Sequence, residues 1–318
     1  MGSLAKLDPR FLEITLKQIA LPATHNSGMN RDITLSGELN CQSMTIEEQL
    51  AMGIRTFDLR PRYDSDEMHF ETYHRNTIDF WWTSWTCPGG ETFPALLDGI
   101  KKFMTSDGQT ETVILFISHV EFEDDPLYTQ FVQEIITYLD VFLYKASDDT
   151  RIADVPLKKL SGKVVVLLNQ QVLDPVKSAF KAEGIYTYAY NEKDSEVVDC
   201  GDVITFDHYA DSSVFREMAN DQLAKFSNFD GVNSELFYLS WTMTPTTYDI
   251  VESIFYGGDV VMDFAEESNS GLYNKVSKAV PNSFKRIPNF ITLDYFEDKA
   301  LLLKLCIEIT LKKLNNIK

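Results

Sequence analysis

Positive charge is scarce in this sequence. Its 318 residues include 29 Lys and Arg against 48 Asp and Glu, for a formal net charge of -19. Nucleic-acid binding and electrostatic capture by an anionic membrane both depend on clustered Lys and Arg. The composition therefore argues against a nucleic-acid partner, and any membrane contact is expected to be local and apolar.

Cysteines are few and widely spaced. The four are Cys41, Cys87, Cys200 and Cys306, and no two of them form a Cys-x-x-Cys pair. This spacing gives neither a zinc signature nor a dense disulfide framework. Buried free thiols are the expected state.

Long apolar runs and linkers are also missing. No run reaches membrane-spanning length, and the first twenty residues lack the basic-then-apolar pattern of a signal peptide. No Pro-, Gly- or Ser-rich linker, internal repeat or low-complexity segment divides the sequence. We therefore expect a soluble monomer with one catalytic domain, 1–318, and a core from about 18 to 300. Secreted and cytoplasmic locations both stay open.

Eight short β-like segments alternate with helical or looped connections, which is the order of a (β/α)8 barrel. The segments are 18–22, 55–59, 67–73, 112–117, 163–168, 202–206, 236–241 and 289–293. The alternation is imperfect, so the pattern predicts a distorted α/β barrel of the TIM type. A Tyr-rich stretch at 186–190 is left open between an extra strand and a packed loop.

Ionisable residues stand at the ends of several of these segments. His25 follows the first, Asp58 and Arg60 close the second, His74 follows the third and Asp294 follows the eighth. Strand ends of a barrel meet at one mouth, where two imidazoles make an acid and base pair near neutral pH. A guanidinium beside them binds phosphoryl oxygens. Each residue alone is more often structural; together they predict phosphoryl chemistry.

A metal site is the alternative reading of the same strand ends. Either aspartate, Asp58 or Asp294, can instead accept the second ring proton of a histidine and fix its tautomer. The charge of Arg60 opposes a divalent cation. The candidate ligands are His25, His74, His119, Asp58, Glu121 and Asp294.

Two motifs resemble those that lead the phosphatidylinositol-specific phospholipase C family, in particular the single-domain bacterial type. They are residues 21–28 (LPATHNSG) and 49–60 (QLAMGIRTFDLR). His74 falls at the position of the second catalytic histidine, and shorter matches follow at 207–209 (DHY) and 293–295 (LDY). The resemblance thus extends over most of the sequence.

The resemblance implies an enzyme that cleaves phosphatidylinositol, and potentially inositol-containing glycolipid anchors, to diacylglycerol and inositol 1,2-cyclic phosphate. His25, paired with Asp294, would deprotonate the inositol 2-hydroxyl. His74, supported by Asp58, would protonate the leaving oxygen, and Arg60 would bind the phosphoryl group. The partner expected is therefore a phosphatidylinositol-type lipid at a membrane surface.

Five further residues are expected to contact substrate on the basis of the resemblance. Asp207 and Tyr209 stand where the family holds the inositol ring. Asn26, His119 and Gln170 stand where metal-independent members have an aspartate, a lysine and, at 169–170, an arginine. The last two replacements indicate weaker headgroup binding or a different headgroup.

Arg60 also bears on the cofactor. In calcium-dependent relatives a carboxylate at this place binds the ion, so an arginine implies no metal. Asn26 matches a calcium ligand of that group, which leaves calcium as the alternative. Two other functions stay open: a glycerophosphodiester- or sphingomyelin-type phosphodiesterase on the same barrel, and a non-catalytic lipid- or inositol-binding relative.

Residues 80–90 are rich in aromatics and are predicted to form a loop closed by a Pro-Gly-Gly turn. Trp81, Trp82 and Trp85 have two interpretations. In the first they enter a lipid interface, because an acidic enzyme needs apolar instead of electrostatic docking. In the second they pack over the barrel rim as a separate cluster.

Overall fold

A computed structural model describes residues 8–30, 40–80, 83–87, 89–122, 125–169, 180–193, 201–280, 286–296 and 299–316. The strands are β1 (Leu21–Thr24), β2 (Thr56–Leu59), β3 (Pro61–Asp64), β4 (His69–Thr72), β5 (His74–Phe80), β6 (Thr83–Cys87), β7 (Thr112–Ile117), β8 (Lys163–Asn169), β9 (Ile185–Asn191), β10 (Val203–Asp207), β11 (Leu236–Ser240) and β12 (Phe290–Leu293). The α-helices are α1 (Ile46–Met52), α2 (Phe93–Thr105), α3 (Asp125–Leu139), α4 (Leu157–Leu160), α5 (Phe215–Asn228), α6 (Thr247–Tyr256), α7 (Val260–Ala279) and α8 (Lys299–Asn315).

Eight of the strands form a closed parallel barrel in the order β1-β2-β7-β8-β9-β10-β11-β12, with β12 pairing back onto β1. Helices separate most of the consecutive barrel strands and cover the outside. The predicted α/β barrel of the TIM type is therefore confirmed. The prediction of one catalytic domain, 1–318, stays a prediction.

The prediction that 67–73 is the third strand of the barrel was wrong. Its place in the chain is taken by β4, which pairs antiparallel with β3 in a separate two-stranded sheet. Only nine residues separate β2 from β4, which is fewer than the dozen that a crossover to a parallel strand needs, so the chain folds back as a hairpin. The Tyr-rich stretch supplies the missing barrel strand, because β9 pairs in parallel with β8 and β10.

The aromatic segment 80–90, predicted as a loop, instead contributes to a hairpin. Strands β5 and β6 pair antiparallel, with Asn76 opposite Trp85 in the register. Trp81 and Trp82 lie outside the described residues. The interfacial role predicted for the three tryptophans stays a prediction.

The barrel strands are apolar on both faces because both faces are covered. On β7, Ile114 and Phe116 point into the barrel, where Phe116 meets the rings of Tyr188, Tyr238 and Phe290 at centroid distances of 4.9, 5.7 and 5.1 Å. Their alternates on the same strand pack against the surrounding helices. This two-sided burial explains the unbroken apolar run of 112–117.

The end of the barrel at which the strands begin is closed by the residues that precede β1. Phe11, Ile14 and Leu16 are buried in the same cluster as the barrel interior. The opposite end, where the strands finish, stays open to a cavity. Among the described residues, no helix is both long and apolar enough to cross a bilayer.

Phe290→Ala should lower the free energy of unfolding by about 3–5 kcal/mol, because it leaves a cavity in the closely packed barrel interior. Phe290 is 1% exposed and contacts both Phe116 and Tyr238. Phe255→Ala is the matched control, since Phe255 is 79% exposed and its loss should change stability by no more than about 0.5 kcal/mol. Urea denaturation of both variants measures the difference; equal stabilities would contradict this packing.

Candidate active site

A cavity of about 660 Å³ opens at the carboxyl ends of the barrel strands. All five residues predicted to be catalytic line it: His25, Asp58, Arg60, His74 and Asp294. They come from four separate parts of the chain, which barrel closure brings together. For four of the five this placement is what the strand-end rule requires, whereas His74 follows β4 of a separate hairpin and not a barrel strand.

His25 follows β1 and is held by its backbone and its side chain. Its N–H donates to Leu293 O at 3.0 Å, and its Nδ1 lies 2.8 Å from Oδ1 of the buried Asp294. A carboxylate only accepts hydrogen bonds, so Nδ1 carries the proton. Nε2 is then left as an acceptor, and Arg60 Nη2 lies 2.9 Å from it.

Arg60 and Asp58 form the charged pair beside this imidazole. Arg60 donates from Nε and Nη2 to Asp58 Oδ2 at 3.2 and 3.1 Å. Burial opposes ionisation of Asp58, but Arg60, with smaller contributions from His25, His119 and the N–H of Asn26, outweighs it and lowers the pKa of Asp58 to about 2. The pair is therefore fully ionised at neutral pH.

His74 begins β5 and faces His25 across the cavity. Their ring centroids are 6.1 Å apart with the planes at 90°. His74 Nδ1 lies 3.7 Å from Cys41 Sγ. The two imidazoles are therefore close enough to act on one substrate as an acid and base pair.

Asn26 lies behind the cavity wall and not in it. It is fully buried, and its N–H donates to Asp58 Oδ2 at 3.1 Å. Its φ of 43° is in the left-handed region that Asn tolerates better than most residues. The substrate contact predicted for Asn26 stays a prediction; in the fold its N–H helps to place Asp58.

His119 lines the cavity one residue beyond Ser118, at the end of β7. Ser118 Oγ lies 3.3 Å from Asp58 Oδ1 and 2.8 Å from His119 Nδ1. Because Asp58 can only accept, Ser118 donates to it and accepts from Nδ1–H of His119. The positive charge of Arg60, with loss of solvent, lowers the pKa of His119 to about 4, so this imidazole is neutral at pH 7.

Asp207 and Tyr209 lie at the end of β10 and both line the cavity. Ser240 Oγ donates to Asp207 Oδ1 at 3.2 Å. Burial, with the negative charge of Asp58, raises the pKa of Asp207 to about 6. Tyr209 is 54% exposed, which leaves its ring face free for a ligand at the cavity edge.

The sequence reasoning missed several of the cavity residues. Ser118 and Ser240 end strands, so the rule that found His25 would have found them if hydroxyls had been counted. The tyrosines Tyr188 and Tyr238 point inward from strands, where alternation was the available signal. No sequence signal pointed to Cys41, because it lies outside every predicted element. Gln170 lies outside the described residues.

The residues around Asp58 do not fit a calcium ion. Calcium takes six to eight oxygen ligands. Asp58 Oδ2 already accepts from Arg60 and from the Asn26 N–H, and Arg60 is the only Lys or Arg among the described residues that line the cavity. The donor set matches the metal-free alternative better.

No model of a protein family matches this sequence, and neither does any curated protein. Solved structures do match over nearly the whole chain. A variant of the phosphatidylinositol-specific phospholipase C from Staphylococcus aureus superposes with a TM-score of 0.61 at 14% identity, covering 96% of each chain. The phosphatidylinositol-specific phospholipase C from Listeria monocytogenes gives 0.60 at 18% identity, covering 94% of this chain and 95% of its own.

The chain has the fold of bacterial phosphatidylinositol-specific phospholipases C. A second Staphylococcus aureus variant, with incorporated pentafluoro-Phe, agrees at a TM-score of 0.63 and 15% identity, covering 93% of each chain. The resemblance found in the sequence motifs is thus confirmed for the fold. At these identities the likeness to phospholipase C leaves the roles of the site residues as predictions.

Asp207→Asn should make the protein more stable at high pH. The pKa of Asp207 rises to about 6 in the fold, from about 4 in an unfolded chain, so the folded state binds more protons between these values. The stability tied to this carboxyl is complete below about pH 4 and is lost as the pH rises through 6. Relative to the wild type, the variant should therefore gain up to about 3 kcal/mol between pH 4 and pH 8.

Urea denaturation of both proteins at the two pH values measures that gain. Asp66→Asn, which removes an exposed carboxylate, is the control for a generic charge effect. A wild type and an Asp207→Asn variant with parallel pH profiles would contradict the burial of this carboxyl.

Proposed function

We propose that this protein is a phosphodiesterase that cleaves phosphatidylinositol to diacylglycerol and inositol 1,2-cyclic phosphate. The observation that supports it most is the hydrogen-bonded row of Asp294, His25, Arg60 and Asp58, with His74 facing it. The row supplies a base, His25, and a phosphate-binding cation, Arg60, and His74 supplies an acid in the same cavity. A cyclic phosphodiester product needs these three groups and no external nucleophile.

In the first part of the reaction His25 acts as the base. Its Nε2 lone pair takes the proton of the inositol 2-hydroxyl, while Asp294 stabilises the resulting imidazolium through Nδ1–H. In the structure Nε2 accepts a hydrogen bond from Arg60. Substrate therefore displaces that contact, and Arg60 turns its Nη2 toward a phosphoryl oxygen while Asp58 keeps it in place.

The deprotonated 2-oxygen then attacks the phosphorus, and the bond from phosphorus to the glyceryl oxygen breaks. His74 gives its proton to that departing oxygen, which leaves as the hydroxyl of diacylglycerol. The two histidines end with exchanged protonation states, and solvent resets them. The support of His74 by Asp58 stays a prediction, since the bonds described for Asp58 go to Arg60, Asn26 and Ser118.

The inositol ring would lie against the far wall of the cavity. Asp207 accepts hydrogen bonds from ring hydroxyls when ionised, and Tyr209 covers a ring face. Neutral His119 offers a hydrogen bond where a cation was expected from the family pattern, which weakens any preference for a phosphorylated headgroup. Cleavage of glycolipid anchors is an extension of the same chemistry.

The other functions are less well supported by these residues. A metal-dependent phosphodiesterase needs free carboxylate ligands, whereas Asp58 is bonded to Arg60. A non-catalytic relative has no need to keep the base, the acid and their partners together in one cavity.

His25→Ala and His74→Ala should each lower turnover of phosphatidylinositol by about 10²- to 10⁴-fold, as the loss of a general acid or base does. The assay contains EDTA and follows cyclic inositol phosphate. His69→Ala is the matched control: His69 lies on β4, 3.9 Å from Glu71 and away from the cavity, so its loss should leave turnover near the wild-type value.

Undiminished turnover in either active-site variant would contradict the proposed mechanism. Strict dependence on added calcium would contradict only the absence of a metal. A wild type that turns over no phosphatidylinositol, but cleaves another phosphodiester, would move the proposal to a different headgroup.

Helix α6 is the surface that we propose for docking on the lipid bilayer. Three of its aromatic side chains are strongly exposed: Tyr248 by 71%, Phe255 by 79% and Tyr256 by 85%. The helix follows β11 at the open end of the barrel and packs against β5, next to the segment of the predicted tryptophan interface. Apolar docking there suits a chain whose net charge of -19 opposes electrostatic attraction to anionic lipid.

Replacing Tyr248, Phe255 and Tyr256 by Ser should lower partitioning onto phosphatidylinositol-containing vesicles by roughly 10-fold for each side chain, the value of burying about half of a large apolar group. Turnover of a short-chain, monomeric phosphatidylinositol should change little. Val232→Ser is the control, since Val232 is 73% exposed but lies between α5 and β11, at the closed end of the barrel. Equal vesicle binding by all variants would contradict docking through α6.

A further inference from the structure

One thiol lies inside the acid and base machinery and takes no part in the proposed reaction. Cys41 lines the cavity although its residue is fully buried. Its Sγ, a nitrogen of His25 and a carboxylate oxygen of Asp294 lie within 4.8 Å of one another. His74 Nδ1 is 3.7 Å from the same sulfur.

Backbone bonds hold this thiol in place. The N–H of Cys41 donates to Met29 O at 3.1 Å, and its carbonyl accepts from Tyr295 N at 2.7 Å, directly beside Asp294. The neighbouring Gln42 donates from Nε2 to the carbonyls of His25 and Leu293 at 2.9 and 3.0 Å. The sulfur, the imidazole and the carboxylate are thus tied to one another through short backbone links, which is a pre-organised arrangement.

The spacing of these atoms approaches that of a tetrahedral metal centre. Zinc bonds of about 2.3 Å to sulfur and 2.0 Å to nitrogen place the two ligand atoms about 3.5 Å apart. The ligand atoms of Cys41, His25 and Asp294 lie within 4.8 Å of one another, a spacing that small side-chain rotations bring to this value. His25 Nδ1 and Asp294 Oδ1, now 2.8 Å apart around a proton, need to open by about half an ångström to hold the ion in its place.

We propose that His25, Cys41 and Asp294 form a binding site for a thiophilic divalent cation, with Zn²⁺ as the ion that fits and solvent completing its coordination, and that occupancy stops catalysis. One thiolate, one carboxylate and one imidazole are ligands that zinc prefers over calcium or magnesium. The site goes beyond the proposed function, but the inhibitory consequence rests on it.

The charges around this site also permit a divalent cation, whereas the charge of Arg60 opposes calcium beside Asp58. The thiolate and the Asp294 carboxylate together balance the two charges of the metal. Arg60 keeps Asp58 as its own partner and lies at Nε2 of His25, the edge of the ring opposite Nδ1. The metal therefore enters on the side that faces away from the guanidinium.

Zinc binding changes the protonation of Cys41 and His25, and this change explains the loss of activity. Zinc replaces the thiol proton of Cys41, which passes to solvent, so one proton is released per ion. At His25 the metal takes Nδ1, and the ring proton transfers to Nε2, where it displaces the hydrogen bond from Arg60, which stays paired with Asp58. The lone pair that would accept the inositol proton is then gone.

Cobalt(II) is the probe for the thiolate, because cobalt bound to a thiolate gives a charge-transfer absorption in the near ultraviolet that imidazole and carboxylate ligands do not give. The wild type should show this absorption at one cobalt per chain, and Cys41→Ser should lose it. Cys306→Ser is the matched control, since Cys306 is a buried free thiol on α8. Cys87 and Cys200 remain in both variants, so neither causes a difference between them.

Zinc affinity measured by titration calorimetry should fall by roughly 100-fold or more in Cys41→Ser, because even a lost partner of a ligand costs 10- to 100-fold. Zinc should inhibit wild-type turnover, and Cys41→Ser should raise the inhibiting concentration by a similar factor, each protein being compared with its own rate without zinc. Cobalt absorption retained in Cys41→Ser, or no metal uptake by the wild type, would overturn the site.

Two further readouts keep the test decisive. If Cys41→Ser does not give a native circular dichroism spectrum, Cys41→Ala replaces it, and Asp294→Asn should lower zinc affinity by at least roughly 10-fold through a different ligand. A protein that turns over no phosphatidylinositol would defeat the proposed function, whereas the cobalt spectrum would still decide the metal site.

Discussion

A row of hydrogen bonds from Asp294 through His25 and Arg60 to Asp58 sets the geometry of the cavity mouth. Its members arrive after β12, after β1 and on or just beyond β2, so the row exists only when β12 closes the barrel against β1. Each bond also fixes a chemical state: Asp294 assigns the His25 tautomer, and Asp58 keeps Arg60 aimed at the imidazole. The fold and the proposed chemistry thus depend on the same closure.

Arg60 has the widest electrostatic influence in this cavity. It lowers the pKa of Asp58 to about 2 and, as the largest cause, that of His119 to about 4. The pKa of Asp207 shifts in the opposite direction, to about 6, because burial and the charge of Asp58 outweigh the lowering effect of Arg60. Burial and the guanidinium together therefore separate the pKa values of three ionisable groups in one cavity.

The strand-end rule recovered the chemistry of the site better than the details of the fold. It placed His25, Asp58 and Asp294 at one mouth, because carboxyl ends of parallel strands must converge there. His74 reaches the same cavity from the start of the second hairpin, although the barrel strand predicted before it was wrong. It failed on which segments are strands of the barrel: 67–73 and β9 have similar alternation, and only the length of the connection before each separates a hairpin from a crossover. The motif position of Asn26 did not reveal that its side chain is fully buried, because burial depends on the packed fold.

Periodicity, composition and the convergence of strand ends are local or additive properties, so they were enough to predict the barrel class, the acidic character that disfavours nucleic acid, and the ionisable groups at the strand ends. The place of β9 in the barrel, the neutral state of His119, the raised pKa of Asp207 and the position of Cys41 beside the histidines followed from the packed fold. These depend on distances between residues far apart in the chain. Cys41 and Asp294, separated by some 250 positions, meet through the bonds from Tyr295 N to the Cys41 carbonyl and from Gln42 Nε2 to the Leu293 carbonyl.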